Sequence, residues 1–238
     1  MNKKFSQHRK WFRNFKIKFE KNGEVANEFV CAIDKLVVEY DTAIYENRFV
    51  VGGAVEFLFV ALVKALGFNA GHVGTSEKRG DFEVEGLRFS LKTNFTGKGE
   101  IRLINKLGRD VNVTWDEATI FIISGLGIIY ADPDLLTTGI LDKGDALVVS
   151  VENLKRFIEK QDGFWIKVQI PCKPNAVISY RIASFDIAIA ILEETKSKIL
   201  IKFLSKKIIC IVPFCGCIFN FKTNSPFSNT KSGYNFHQ

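Results

Sequence analysis

Only three histidines and one methionine occur in the 238 residues, and no Ser/His/Asp set, glycine-rich phosphate cradle or dinucleotide fingerprint can be assembled from the chain. Triad hydrolases, P-loop NTPases and nicotinamide dehydrogenases are thereby set aside. Long apolar runs are missing too: Ile208 to Phe219 is about 12 residues, short of the ~20 that a bilayer crossing needs, and holds Pro213. No membrane partner is expected. The first residues lack the apolar core and small-residue cleavage site of a secretory signal, so a cytoplasmic protein is expected. Five cysteines (Cys31, Cys172, Cys210, Cys215 and Cys217) are an odd number. Cys215-Gly-Cys217 with Cys210 lacks a fourth ligand at finger-like spacing, so all five read as small buried hydrophobes in a reducing compartment.

Acids are absent from residues 195–238, which hold seven lysines, while residues 1–21 hold eight Lys/Arg against Glu20 alone. The overall charge of +7 therefore sits at the two ends, and the middle, with eighteen bases and twenty-five acids, is negative. At 47% hydrophobic and 25% charged residues, the chain can bury one proper core. The expected organisation is a basic, aromatic N-terminal arm over 1–22, a domain over 23–198 and a basic, acid-free tail over 199–238. The abrupt loss of acids in the tail is what a truncated or frameshifted end would give. In the arm, His8 to Phe19 interleaves bases with aromatics, which suits either phosphate contact or an amphipathic element docked on the body.

Val25, Phe29, Ile33, Leu36, Val37, Tyr40 and Ile44 recur at helical spacing and predict a long helix from Glu24 to Glu46 that leads into a turn at Gly52-Gly53. From there to Gly67 the chain reads as a second helix, apolar nearly all round and hence buried. Glu56 is the only acid of that stretch. Buried, it needs a cation, a metal or a network; otherwise it is a first-turn glutamate favoured by the helix dipole and reaching solvent. Further on, Thr119–Ser124 predicts a buried central strand, Gly125–Tyr130 its continuation or partner, Ala146–Val151 a strand, Glu152–Lys160 a helix and Phe164–Ile170 a strand. Asp145 and Asp186 read as turn and cap residues. His72 reads as a surface histidine in a Gly-rich loop.

The densest signal lies between Gly80 and Lys92. Phe82 and Val84 alternate with Asp81, Glu83 and Glu85, and Leu87, Phe89 and Leu91 alternate with Arg88, Ser90 and Lys92, which predicts two short strands turning at Glu85-Gly86. Such a hairpin sets Asp81 beside Lys92. A carboxylate for a divalent ion and an ammonium for a water are the minimum equipment for metal-assisted hydrolysis of a phosphodiester.

With Glu56 on an earlier helix, Gly67-Phe68 after it, Gly80-Asp81 opening the hairpin and Ser90-Leu91-Lys92 closing it, residues 50–105 resemble the PD-(D/E)xK nuclease superfamily, and within it the type II restriction endonucleases. The resemblance implies an α/β (α+β) fold, a restriction-endonuclease-like mixed β-sheet flanked by α-helices. It implies Mg²⁺ held by Asp81, the Leu91 carbonyl and Glu56, with Lys92 serving the attacking water. Cleavage of double-stranded DNA, a homodimer and functional pairing with a DNA methyltransferase are implied as well. The chain departs from the family at Ser90, which stands where a second acid belongs, and a hydroxyl is a poor substitute at a hard cation. Glu56 is the first candidate to replace it, before Glu83 and Glu100. Residues 93–109 read as a polar loop following a phosphate backbone, so Arg79, Thr93, Asn94, Lys98 and Arg102 are the expected DNA contacts. Without the second acid, the alternative is a DNA-binding protein on the same fold that has lost cleavage; a non-enzymatic interaction protein is the third reading.

Overall fold

The computed structural model describes residues 4–40, 45–73, 80–106, 113–171 and 184–204, all within one compact unit, Met1–Ile208. Cys172, Cys210, Cys215, Cys217, Arg79 and the tail from residue 205 lie outside the described residues. Cys31 is exposed, not buried, on the second helix.

Helix α1 (Ser6–Lys21) forms because Trp11, Phe12, Phe15 and Phe19 recur on one face, and Lys18 and Lys21 in its last turn complement the helix dipole. That face is buried: Phe12 stands 5.4 Å from Tyr130, and Phe15 stands 5.6 Å from Phe59. Residues set apart as an arm thus contribute to the common core, where each large apolar side chain is worth roughly 1.5–3 kcal/mol.

Helices α2 (Gly23–Glu39) and α3 (Tyr45–Ala65) replace the expected helix and turn. Gly52 and Gly53 lie inside α3. The reason for glycine at 53 is close packing, because a Cβ there would meet Ser184 Oγ at 2.5 Å at the start of α5 (Ser184–Glu194). The predicted stop is present: Gly67 takes φ +81, with Gly67 N–H donating to Lys64 O at 2.9 Å and Phe68 N–H to Val63 O at 3.2 Å.

Nine strands follow among the described residues: β1 (Ala70–His72), β2 (Phe82–Val84), β3 (Leu87–Asn94), β4 (Glu100–Asn105), β5 (Thr119–Ile123), β6 (Gly127–Ala131), β7 (Ile140–Asp142), β8 (Ala146–Ser150) and β9 (Trp165–Ile166). The main sheet has the order β1-β2-β3-β5-β6-β9. It is mixed, with β3 and β5 parallel and the other neighbours antiparallel. A second sheet, β4-β8-β7, is antiparallel. The polar loop expected over 93–109 therefore contains a strand, whose Ile101 and Leu103 alternate inward. The strand expected over Phe164–Ile170 shortens to β9. Helix α4 (Val151–Lys160) begins where Ser150 Oγ accepts Asn153 N–H at 3.0 Å, and α6 (Ile201–Leu204) is a single turn. The fold is a mixed sheet flanked by helices. No helix among the described residues is long and apolar enough to cross a membrane.

Candidate active site

The β2–β3 hairpin turns at Glu85 and Gly86, with φ of +50 and +75, the positive pair that a tight two-residue turn requires. Its register sets Phe82 against Phe89, and their rings stack at 5.3 Å on the side facing α1 and α3. The pleat then turns Ser90 and Lys92 the other way, toward Asp81, the residue just before β2. Asp81 is pinned through its backbone on both sides: its N–H donates to Phe89 O at 2.8 Å, and its carbonyl accepts Val73 N–H at 3.0 Å. Gly80 makes this entry with φ +79.

Asp81 Oδ2 collects three neighbours. Ser90 Oγ donates at 2.9 Å, Leu91 N–H donates at 2.6 Å, and Lys92 Nζ lies at 3.7 Å. Asp81 and Lys92 remain 29% and 26% exposed, so both are open to a ligand from solvent, whereas Ser90 is buried. Among the described residues no hydrogen bond reaches the other Asp81 oxygen. The backbone explains why Leu91 is the donor. Ser90 N–H goes to Ala118 O, and Asn94 O accepts from Ser124, so even-numbered residues of β3 serve β5 and the odd ones face the opposite edge. There β2 has already ended. Leu91 therefore turns its carbonyl, as well as its N–H, to the Asp81 side.

Glu56 is not a solvent-reaching first-turn residue. It sits in the middle of α3, partly buried, with Oε2 2.8 Å from His72 Nε2. The His72 ring stacks on Phe57 at 4.3 Å, so α3 grips the imidazole by face and by edge. His72, read as a loop residue, ends β1 and lies opposite Phe82. The signal for it was the requirement that a buried Glu56 have a partner. The structure thus joins Glu56 to His72 and Asp81 to Ser90, Leu91 and Lys92, two groups on adjoining strands. No three His, Cys, Asp or Glu side chains gather into a metal-holding cluster among the described residues.

The other candidates are engaged elsewhere. Glu83 lies 3.3 Å from Arg88 Nε, and Glu100 pairs with Lys143 at 3.0 Å across the second sheet. Arg102 pairs with Asp145 at 2.9 Å. Asn94 closes its own loop: its Oδ1 accepts Thr96 N–H at 3.1 Å and Gly97 N–H at 2.9 Å, while Nδ2 donates to Lys98 O at 2.9 Å. Gly97 is required there, since a Cβ would meet Ser124 O at 2.9 Å. A cleft of about 380 Å³, bounded by Val51, Thr93, Asn94, Thr96 and Lys98, begins one residue beyond Lys92. Of the expected DNA contacts, Thr93, Asn94 and Lys98 line it, the Asn94 side chain being engaged within its own loop, and Arg102 is paired with Asp145. Asp186 lies in the first turn of α5, as a cap-region acid.

A second carboxylate was missed altogether. Asp132, just after β6, is fully buried and accepts Arg9 Nε and a terminal nitrogen of the same guanidinium, each at 2.7 Å, with Tyr130 O–H at 2.8 Å. The hydrogen bond to Asp132 raises the Arg9 pKa, and burial first, then Asp132, raises that of Tyr130. Comparison of the chain with protein-family models, with curated proteins and with solved structures finds no match.

Proposed function

We propose that the chain is a Mg²⁺-dependent endonuclease that hydrolyses phosphodiester bonds in double-stranded DNA, of the type II restriction kind. The observation that supports it most is the placement of Asp81 and Lys92 side by side, 3.7 Å apart and partly open, with the Leu91 backbone turned to the same edge. The order of helix, antiparallel hairpin and site residues agrees with the resemblance. Carboxylate and carbonyl oxygens are the donors that a hard divalent cation takes, so Asp81 and the Leu91 carbonyl fit Mg²⁺. Bound there, the ion would polarise the phosphodiester and acidify a water.

The chain's own residues do the rest. Lys92 orients the water and offsets negative charge developing at phosphorus. Ser90 and the Leu91 N–H hold one carboxylate oxygen, leaving the other for the ion. Ser90 is then a positioning residue, and Glu56, the further acid of this reading, has Oε2 paired with His72. A homodimer, a partner methyltransferase and a cytoplasmic setting belong to the same reading. A second reading is a DNA-binding protein that has lost cleavage, favoured by a Ser90 that donates to Asp81 where an acid would bind metal.

Asp81→Ala separates the two. With Mg²⁺ and plasmid DNA, wild type cuts and the variant loses at least about a thousandfold in rate, while duplex binding in Ca²⁺ stays within about twofold. Wild-type binding without any cutting would select the second reading, and cutting by the variant at the wild-type rate would remove Asp81 from the site.

A further inference from the structure

Several cations of the two sheets are neutralised, since Arg102 pairs with Asp145, Lys106 with Asp142 and Arg88 with Glu83. Helix α1 differs. Its buried side carries the aromatics, and Lys10, Arg13, Asn14, Ile17 and Lys21 fall on the opposite side within about 100° of arc at 3.6 residues per turn. Lys16 donates to Asp162 O at 2.9 Å and lies 4.0 Å from Glu20, and Lys18 donates to Leu66 O at 3.0 Å. Lys10, Arg13 and Lys21 have no acid partner among the described residues. Arg13 is instead steadied over the Phe164 ring at 4.8 Å, which fixes its position and leaves its charge uncompensated. From Lys10 to Lys21 the stripe is about 16 Å long. Buried ion pairing holds its base rigid, for Arg9, one residue before Lys10, is locked to Asp132.

We infer that the outer side of α1 is a second nucleic-acid contact, a stripe that binds the phosphate backbone through Lys10, Arg13 and Lys21. It rests on the reading of DNA as partner but not on cleavage. The ligand is a phosphate chain and not a lipid surface, because the helix has turned Trp11, Phe12, Phe15 and Phe19 into the core. Ile17, 49% exposed, is the one large apolar side chain left outside on α1, too little to enter a bilayer interface. The contact carries no sequence information, since charge alone reads the backbone. His8 and Trp11 each contact Phe89 beneath α1, so the stripe is on the far side of the helix from the hairpin and separate from Asp81.

The test uses the full chain and a labelled duplex of about 20 base pairs, with EDTA so that no cutting occurs, over 50–200 mM salt. Replacing Lys10, Arg13 and Lys21 together by Gln should reduce the slope of log affinity against log salt by about 2.7, at ~0.9 per phosphate contact, and weaken binding at least about tenfold at 0.1 M. The melting temperature should fall by no more than about 4 °C, the share of the Arg13–Phe164 contact. A control replaces the exposed Lys196, Lys198 and Lys202 by Gln, an equal change in net charge, and should leave the slope within about 0.5. Equal slopes for wild type and the α1 variant overturn the inference, as does an equal loss in the control, absence of duplex binding by wild type, or preferential capture by phosphatidylserine vesicles. Plasmid cleavage is read separately: a stripe that binds in a chain that does not cut ends the nuclease reading alone, and cutting with an unchanged slope ends this inference alone.

Discussion

Asp132 with Arg9 and Asp81 with Lys92 are carboxylate–cation pairs in opposite circumstances. Asp132 is fully buried, takes a bidentate Arg9 at 2.7 Å, the Tyr130 hydroxyl at 2.8 Å and the N–H groups of Asp134 and Leu135 at 3.0 Å, so no acceptor position is left for anything else. Asp81 is partly open, holds its lysine only at 3.7 Å and gathers its hydrogen bonds on one oxygen. Desolvation decides the difference. A charge taken out of water must be satisfied completely, and the first pair is; a pair that keeps water contact is worth at most about 1 kcal/mol to the fold and can be left incomplete. Saturation marks a clamp that ties α1 to β6. Incompleteness marks a place where a ligand can enter.

The largest loss of stability is expected at the clamp. Asp132→Ala leaves the buried Arg9 with Asp134 alone, at 3.0 Å, and takes the acceptor from the Tyr130 hydroxyl, and should cost about 3 kcal/mol in urea unfolding. A cost under about 1 kcal/mol would mean that the network is dispensable. Glu28 offers an intermediate case. Burial works to raise its carboxyl, but the N–H groups of Leu200, Lys198 and Ile199 and the Ser197 hydroxyl outweigh burial, so its pKa lies below the ordinary glutamate value. Because the folded pKa is the lower one, the stabilisation is complete above the ordinary value of about 4.3 and is lost as pH falls through the folded pKa. Glu28→Gln should cost about 1–2 kcal/mol at pH 7, and in paired melting curves the deficit should hold down to about pH 4.3 and shrink only as pH falls further, through the folded pKa. A deficit that does not change with pH would place the effect in packing.

The hairpin, the central strand and the site pair were legible because period-2 alternation and a Glu-Gly turn are local signals. The helical period of α2 was equally plain, whereas α1 had been left open between a phosphate-contacting arm and an amphipathic element docked on the body. What was not legible depends on partners far along the chain. Gly52-Gly53 read as a turn because glycine's close-packing role against Ser184 leaves no mark nearby. The 93–109 segment read as a loop because β4 pairs with β8, some forty residues later, and only Ile101 and Leu103 hint at a strand. Arg9, placed in a run of bases, looked like a phosphate contact, and nothing adjacent announces Asp132, 123 residues away. His72 could have been found, since a buried Glu56 demands a partner and β1 brings the imidazole to it.

The smallest effect on the fold belongs to Lys92, and it carries the account. Lys92→Met keeps the aliphatic stem and removes the charge, so unfolding free energy should change by less than about 1 kcal/mol. The direct measurement sets the melting temperature of this variant beside its Mg²⁺-dependent cutting of one plasmid at equal salt. An unchanged melting temperature, within about 2 °C, and cutting reduced at least about a hundredfold are expected. Cutting equal to wild type, or a loss explained by unfolding, would contradict the nuclease reading.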